Sequence, residues 1–157
     1  MKILVGIALA LGLVGVVLGV VALRDGDAGS VVFTRSTLEL TGAEPDTRIS
    51  YPAEGIAKDH PNGNLVEVRN SAVTGDAEGE YIRTCTPVVD DEIECNGAFQ
   101  LAEGSIEIET TAHDDPNEAT ATAAIVGGTG AYEGALGSVE VNFEENTYLL
   151  HLLLPTG

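Results

Sequence analysis

Apolar and polar residues alternate in short stretches along most of the chain after residue 30. Alternation puts every second side chain on the same face of an extended strand, so it predicts strands with one buried and one solvated face. Clusters of glycine, proline, aspartate and asparagine separate the stretches and predict turns. The strands predicted in this way are residues 30–40, 64–73, 80–89, 92–101, 105–112, 119–126, 137–143 and 147–154.

This pattern predicts an all-β domain. No stretch after the N-terminal segment has the 3.6-residue period of an amphipathic helix, and regular short strands with turns between them indicate a sandwich or a barrel. Residues 119–124 are all alanine or threonine, as expected in a tightly curved barrel wall. Residues 41–63 contain three prolines and are predicted to be a long loop, with a short extended piece at 48–51.

The N-terminal segment is of a different kind. Residues 3–23 carry no charge, Lys2 precedes them and Arg24-Asp25 follows. The segment is predicted to be a hydrophobic helix, either a cleaved signal peptide or a membrane anchor. Both alternatives export the barrel, which is then secreted or anchored to the outer face of the cytoplasmic membrane. The predicted organisation is 1–23 as signal or anchor, 24–37 as linker and first strand, and 38–155 as the barrel.

The hairpin over residues 80–101 can be registered from its two cysteines. Cys85 and Cys95 are symmetric about Asp90, so a three-residue loop at 89–91 places them opposite each other. Opposed residues of an antiparallel pair come close enough to form a disulfide, which suits an exported domain. The same register sets Tyr81 against Phe99 and Arg83 against Gly97.

The next hairpin, with its turn at 102–105, is predicted to set Leu101 against Ile106, Phe99 against Ile108 and Gly97 against Thr110. Val66 and Val68 are predicted to face the same interior from the preceding strand. The side chain of Arg83 then points inward, and its positive charge must be solvated by water or paired with an acid of the 41–63 loop or with a ligand's anionic group. The predicted ligand-binding residues are Arg83, Tyr81, Phe99, Thr110 and Asn70. The alternative for Tyr81 is a core ring stacked on Phe99.

The last strand, Tyr148–Leu154, is apolar on both faces apart from His151, whose facing the sequence leaves open. A strand that is apolar on both sides is buried on both sides. The outer side is therefore predicted to pack against a neighbouring subunit.

The formal net charge of −18 excludes two classes of partner. Such a surface repels nucleic acid and anionic lipid, so contact with a membrane is predicted only through residues 3–23. The acidic runs lack the spaced loop of a calcium-binding EF-hand, and the three histidines are scattered. No metal and no cofactor are predicted.

Residues 127–137 read Gly-Gly-Thr-Gly-Ala-Tyr-Glu-Gly-Ala-Leu-Gly. This segment predicts a strand, a tight glycine turn and a strand, with Tyr132 plugging the end of the sheet. It resembles the signature of the dirigent and allene oxide cyclase-like barrels. Further support lies in Cys85-Thr86 and in the hairpin 97–106. The resemblance implies an eight-stranded antiparallel barrel with an apolar cavity, commonly a homotrimer, that steers cyclisation or coupling of hydrophobic intermediates.

The function favoured by these observations is that of an exported barrel binding a hydrophobic small molecule. By holding a flexible substrate in a reactive conformation it would act as an isomerase or cyclase. The alternative is a non-catalytic domain at the cell surface, either a ligand carrier or a structural barrel filled by side chains. No catalytic residue is assigned, because no residue here matches the catalytic acids of those families.

Overall fold

The computed structural model describes residues 31–44, 47–52, 65–88, 92–113 and 119–156. These form nine strands and one short 3-10 helix at Gly130–Tyr132, between the seventh and eighth strands. The predicted N-terminal helix lies outside the described residues. The strands are β1 Val32–Gly42, β2 Thr47–Pro52, β3 Leu65–Gly75, β4 Gly79–Pro87, β5 Glu92–Leu101, β6 Gly104–His113, β7 Thr120–Gly128, β8 Leu136–Asn142 and β9 Thr147–Thr156.

The strands close into an eight-stranded antiparallel barrel, as predicted. Each strand from β3 to β9 pairs with the next one along the chain, and β1 pairs with both β9 and β3. β1 and β2 lie one after the other along β3 and together occupy one strand position of the barrel, so nine strands fill eight positions. The contact between β1 and β3 that closes the barrel is short, from Leu40–Gly42 to Val73–Gly75. The short extended piece expected within the 41–63 loop is β2.

The register predicted for the β4–β5 hairpin is confirmed. Tyr81 pairs with Phe99, Arg83 with Gly97 and Cys85 with Cys95. The two cysteines form a disulfide, and their Cα atoms are 4.1 Å apart. The symmetry of the cysteines about Asp90 was therefore sufficient to fix this hairpin.

The register predicted for β5–β6 is wrong by two residues. The turn consists of Ala102 and Glu103 alone, so Leu101 pairs with Gly104, Gly97 with Ile108, and Thr110 with Cys95. Gly104 begins β6 with a φ of +147°, and a Cβ there would collide with the backbone oxygen of Thr129, so the position requires glycine. A shift of two residues preserves which face each side chain occupies, so Ile106 and Ile108 still point inward and are buried.

The facing predicted for β3 is also wrong. Ser71 pairs with Tyr81 and Arg69 with Arg83, so the odd-numbered residues share the interior with the inward face of β4. Val68 and Asn70 lie on the outer face; the side chain of Val66 is outside the described part of the structure. Ser71 and Val73 are buried, with 5% and 1% of their surface exposed.

Large side chains fill the end of the barrel at which β5 turns into β6. Leucine, isoleucine, valine and phenylalanine from seven strands are buried there and contribute the main hydrophobic stabilisation. The 3-10 turn between β7 and β8 closes this end with the buried ring of Tyr132, as predicted. The residues of this packed core are Leu40, Val73, Phe99, Leu101, Ile106, Ile125, Val139, Leu150 and Leu152.

β9 has one buried face and one half-buried face. Tyr148, Leu150 and Leu152 point into the barrel, whereas Leu149 and Leu153 point outward and remain partly exposed. His151 lies on the outer face, with its Nε2 atom 3.3 Å from Oε1 of Glu140. The open question of its facing is thus answered, and His151 takes no part in the interior.

Candidate functional site

A cavity of about 450 Å³ occupies the end of the barrel opposite Tyr132. It extends from Tyr81 and Ile108 to the β8–β9 turn, where Phe143, Glu144 and Asn146 line its rim. Residues of β3 to β9 and Glu44, which follows β1, contribute to the wall. This is within the usual range of volumes of small-molecule sites.

The cavity exists because the inward residues at this end are small. Along β7 the inward series is Ala121, Ala123 and Ile125, so the wall changes from small to large towards the packed end. β6 repeats this change, with Ala112 and Thr110 at the cavity and Ile108 below them. Core side chains in barrels of this size normally fill the interior. A row of small residues on neighbouring strands therefore leaves space for a ligand.

The opposite wall, formed by β3 and β4, carries positive charge. Arg69 and Arg83 are a cross-strand pair, and Ser71 and Tyr81 are the next inward pair on the same two strands. All four line the cavity. Two guanidinium groups therefore lie side by side on this wall, and the same cavity is also lined by Glu44 and Glu144.

Three aromatic rings form the floor between the cavity and the packed core. The ring of Tyr81 stacks on that of Phe99 with a centroid distance of 4.6 Å, and both contact Tyr148, at 5.1 Å and 5.3 Å. Burial raises the pKa of Tyr81 to about 12, although Arg83 acts in the opposite direction. Burial likewise raises the pKa of Tyr148. Both phenols are therefore neutral near pH 7.

Asn146 connects this floor to the end of β1. Its Nδ2 atom donates to the backbone oxygens of Gly42 and Ala43, at 2.6 Å and 2.9 Å. The hydroxyl of Tyr148 donates to its Oδ1 atom at 3.2 Å. Asn146 has a φ of +54°, a conformation that asparagine adopts more readily than most residues.

The sequence-predicted site residues divide into two groups. Tyr81, Arg83 and Thr110 line the cavity, and the Thr110 hydroxyl donates to the backbone oxygen of Thr122. Phe99 is fully buried beneath Tyr81 and supports the floor without reaching the cavity. Asn70 lies on the outer face of β3 opposite Ile82, so its assignment to the interior is wrong.

Several of the cavity residues were not expected from the sequence, among them Arg69, Ser71, Tyr148 and Asn146. Arg69 and Ser71 were missed because the alternation in β3 was assigned to the wrong face. Hairpin symmetry could have corrected it, since a turn centred on Asp76 or Ala77 sets odd-numbered residues of β3 against Tyr81. Cys95 also lines the cavity, so the disulfide forms part of its wall.

A second depression, of about 580 Å³, lies on the outside of the barrel across β7, β8, β9 and β1. Its lining includes the outward residues Glu39, Thr122, Glu140 and Leu149, and neither inward arginine belongs to it. It lacks the enclosure and the charged wall of the interior cavity. The interior cavity is therefore the candidate functional site.

Two further properties concern the described part of the chain only. Within the described ranges, no helix is long and apolar enough to cross a membrane. The same residues contain no group of three or more histidine, cysteine, aspartate or glutamate side chains arranged to hold a metal ion.

Comparison with known proteins identifies the fold. No protein-family model and no curated protein matches the sequence. Among solved structures, pyocyanin demethylase superposes with a TM-score of 0.56 and 22% identity, over 76% of this chain and 99% of that chain. The pterocarpan synthase dirigent protein superposes with a TM-score of 0.53 and 18% identity, over 84% and 90%. Identities this low establish the fold alone, and that fold is a dirigent-like barrel.

Proposed function

We propose that this protein binds a hydrophobic small molecule with an anionic group inside its barrel. The observation that carries the proposal is the division of the cavity into two unlike walls. Arg69 and Arg83 lie on β3 and β4, whereas Ala121, Ala123 and Val141 lie across from them on β7 and β8. Pockets that combine apolar area with a few convergent polar groups are typical of ligand sites.

The arginine wall suits a carboxylate or a similar planar anion. Guanidinium groups donate two parallel hydrogen bonds to a carboxylate, and such bonds are stronger where water is scarce. The small-residue wall leaves room for the ligand's apolar part, and each buried methylene contributes about 0.8 kcal/mol. The acidic exterior, with a net charge of −18, repels anions at long range. The arginines therefore attract an anionic ligand only at short range, once it has entered the cavity.

The purely structural alternative requires a barrel filled by its own side chains. That description fits the end closed by Tyr132 but not the end lined by alanine and threonine. A binding function is therefore favoured over a structural one.

The experiment is a fluorescence titration with 2-naphthoate and with its uncharged amide, 2-naphthamide. The chain contains no tryptophan, so naphthalene emission is free of tryptophan background. We expect the naphthoate to bind more tightly than the amide. Arg83→Gln should remove about 1.5–3 kcal/mol, the value of a charged hydrogen bond, which is a loss of roughly ten-fold or more for the anion and little for the amide.

Arg35→Gln is the matched control, because Arg35 lies on β1 and is exposed. It should leave both affinities unchanged. Equal affinities for naphthoate and naphthamide, or equal effects of the two substitutions, would refute the proposal that the arginine wall recognises an anion.

An isomerase or cyclase activity is the second candidate, and Tyr81 favours it. Its hydroxyl is beside the cavity, is neutral, and makes no hydrogen bond to the part of the chain that the structure describes. It can donate a proton or hydrogen bond to a bound carbonyl. The two structural neighbours are themselves named as a demethylase and a synthase.

Steering can be tested through product stereochemistry, which does not require the natural substrate. Phenoxy radicals generated from a propenylphenol by a separate one-electron oxidant couple to a racemic product in solution. A barrel that steers its ligand gives one enantiomer in excess, measured by chiral chromatography. A racemic product with bound substrate in the barrel supports a carrier without catalysis.

We also propose that the barrel is exported. The supporting observation is the Cys85–Cys95 disulfide, since disulfides persist in oxidising compartments. Mass spectrometry of the protein from separated cell fractions tests this and distinguishes a cleaved N-terminus from a retained anchor. Reduced cysteines in a cytoplasmic fraction would contradict export.

A further inference from the structure

The hydrogen-bonding roles of the two cavity tyrosines can be assigned from their neighbours. The side-chain nitrogen of Asn146 must face Gly42 and Ala43, because two backbone oxygens can only accept hydrogen bonds and both are within reach. The amide oxygen then faces Tyr148 and can only accept. The single proton of the Tyr148 hydroxyl is therefore held by Asn146.

A phenol whose proton is already donated can offer a ligand only its oxygen lone pairs. Tyr148 is therefore a hydrogen-bond acceptor towards the cavity. Tyr81 has the opposite role, because its proton makes no hydrogen bond to any of the described residues. Tyr81 also stands on the strand of Arg83, next to the arginine wall. Donors and acceptor are thus on different sides of the aromatic floor, whose two tyrosine rings are 5.1 Å apart.

We infer that the ligand carries a hydroxyl or N–H group that donates to Tyr148, in addition to an anionic acceptor that faces Tyr81 and Arg83. This inference rests on the proposed function and narrows its ligand class. The class is a hydroxylated or amino-substituted aromatic or alicyclic acid, rather than a plain fatty acid or a hydrocarbon acid. A carboxylate with a second acceptor near Tyr148 would be rejected, because two lone-pair oxygens would face each other.

Asn146 is a positioning residue in this scheme. It orients Tyr148 and at the same time joins the β8–β9 turn to the end of β1, where the backbone nitrogen of Gly42 donates to the backbone oxygen of Asn146 at 2.8 Å. A Cβ on Gly42 would approach the Asn146 side-chain nitrogen to 2.7 Å. The glycine therefore allows the close approach that keeps the asparagine oriented.

The experiment compares 2-naphthoate, its isomers that carry one hydroxyl group, and the methyl ether of the tightest isomer. We expect one hydroxyl isomer to bind about five-fold more tightly than 2-naphthoate, the size expected for one neutral hydrogen bond. The methyl ether, which accepts but does not donate, should lose this advantage. Tyr148→Phe should equalise the three affinities, while Tyr132→Phe, at the opposite end of the barrel, should preserve the order.

Three outcomes overturn the inference while leaving the proposed function intact. They are equal affinities of all isomers and 2-naphthoate, a methyl ether as good as its parent alcohol, and an advantage that survives in Tyr148→Phe. Absence of binding by every naphthoate refutes the proposed function and the inference together. Asn146→Ala supplies a further readout if it folds, because it frees the Tyr148 proton and should allow the methyl ether to bind as well as the alcohol.

Discussion

Filling the cavity should weaken binding without weakening the fold. Ala121 lies on β7 opposite Val141, and both line the cavity. In Ala121→Phe the new ring enters space that the native side chains leave open. The matched control is Ala124→Phe, which makes the same change on the same strand at an exposed position.

The expected magnitudes follow from buried area. Complete burial of a phenylalanine side chain stabilises a protein by about 1.5–3 kcal/mol, and Ala121 is only partly covered, so about 0–2 kcal/mol is expected. This corresponds to a rise of up to several degrees in thermal midpoint for a domain of this size. A ligand that loses about 55 Å² of apolar contact at about 25 cal/mol per Å² binds about ten-fold more weakly.

Thermal unfolding and a 2-naphthoate titration of the two variants provide the assay. Ala121→Phe should keep or raise the midpoint and lose at least about ten-fold in affinity. Ala124→Phe should change stability by no more than about 0.5 kcal/mol and leave affinity unchanged. A marked fall in the midpoint of Ala121→Phe would show that the space is closed in solution. Unchanged affinity would show that the ligand binds elsewhere.

Four other predictions concern stability, ionisation, binding rate and assembly. Replacing Cys85 and Cys95 by serine should lower the free energy of unfolding by about 2–3 kcal/mol, because the closed loop is short; denaturant unfolding of the double variant checks this, and an unchanged midpoint would contradict it. Tyr81 should ionise near pH 12 instead of 10. Since the folded state then keeps its proton longer than the unfolded state, this contribution to stability is complete below pH 10 and is lost as the pH rises towards 12. In difference absorbance the parent should show one more phenol that ionises near pH 12 than Tyr81→Phe does. The association rate of 2-naphthoate should increase when salt shortens the screening length from about 30 Å to about 10 Å, and a stopped-flow rate that falls with salt would contradict long-range repulsion by the acidic surface. The half-buried outer leucines Leu149 and Leu153 should pack against another copy, in a trimer by family resemblance, and a monomer in sedimentation equilibrium at micromolar concentration would refute this.

Local symmetry in the sequence was enough to predict some of the interior. Cys85 and Cys95 fix the β4–β5 register because a symmetric hairpin has few ways to pair them. The next hairpin failed by two residues because residues 102–105 permit either a four-residue turn or a two-residue turn. In the barrel the two-residue turn brings Gly104 against Thr129, a contact with a distant part of the chain that the hairpin's own residues do not reveal.

The facing of β3 could not be read from its own residues. Val66, Val68 and Ala72 suggest one buried face, but Ser71 and Val73 on the other face are the buried residues. The preference of apolar residues for the interior is weak where the interior is a cavity with a charged wall, because arginine and serine are then the inward residues. The polar inner wall that forms the site is therefore also the reason why the hydrophobic pattern did not identify Arg69 and Ser71.

Tyr148 and Asn146 were missed for a different reason. The β8–β9 turn gives no sign in sequence that Asn146 will face Gly42 and Ala43, which lie about a hundred residues earlier in the chain. Barrel closure creates this contact, since β1 pairs with β9. A network that joins the first and last strands requires the complete topology.

The most direct test of the central claim is the position of a bound ligand. Intermolecular nuclear Overhauser effects between 2-naphthoate and the methyl groups of the protein would provide it. We predict contacts from the naphthalene ring to Ala121, Ala123 and Ile108 in the cavity. Contacts confined to Leu149 and Leu153 on the outer face of β9 would contradict it.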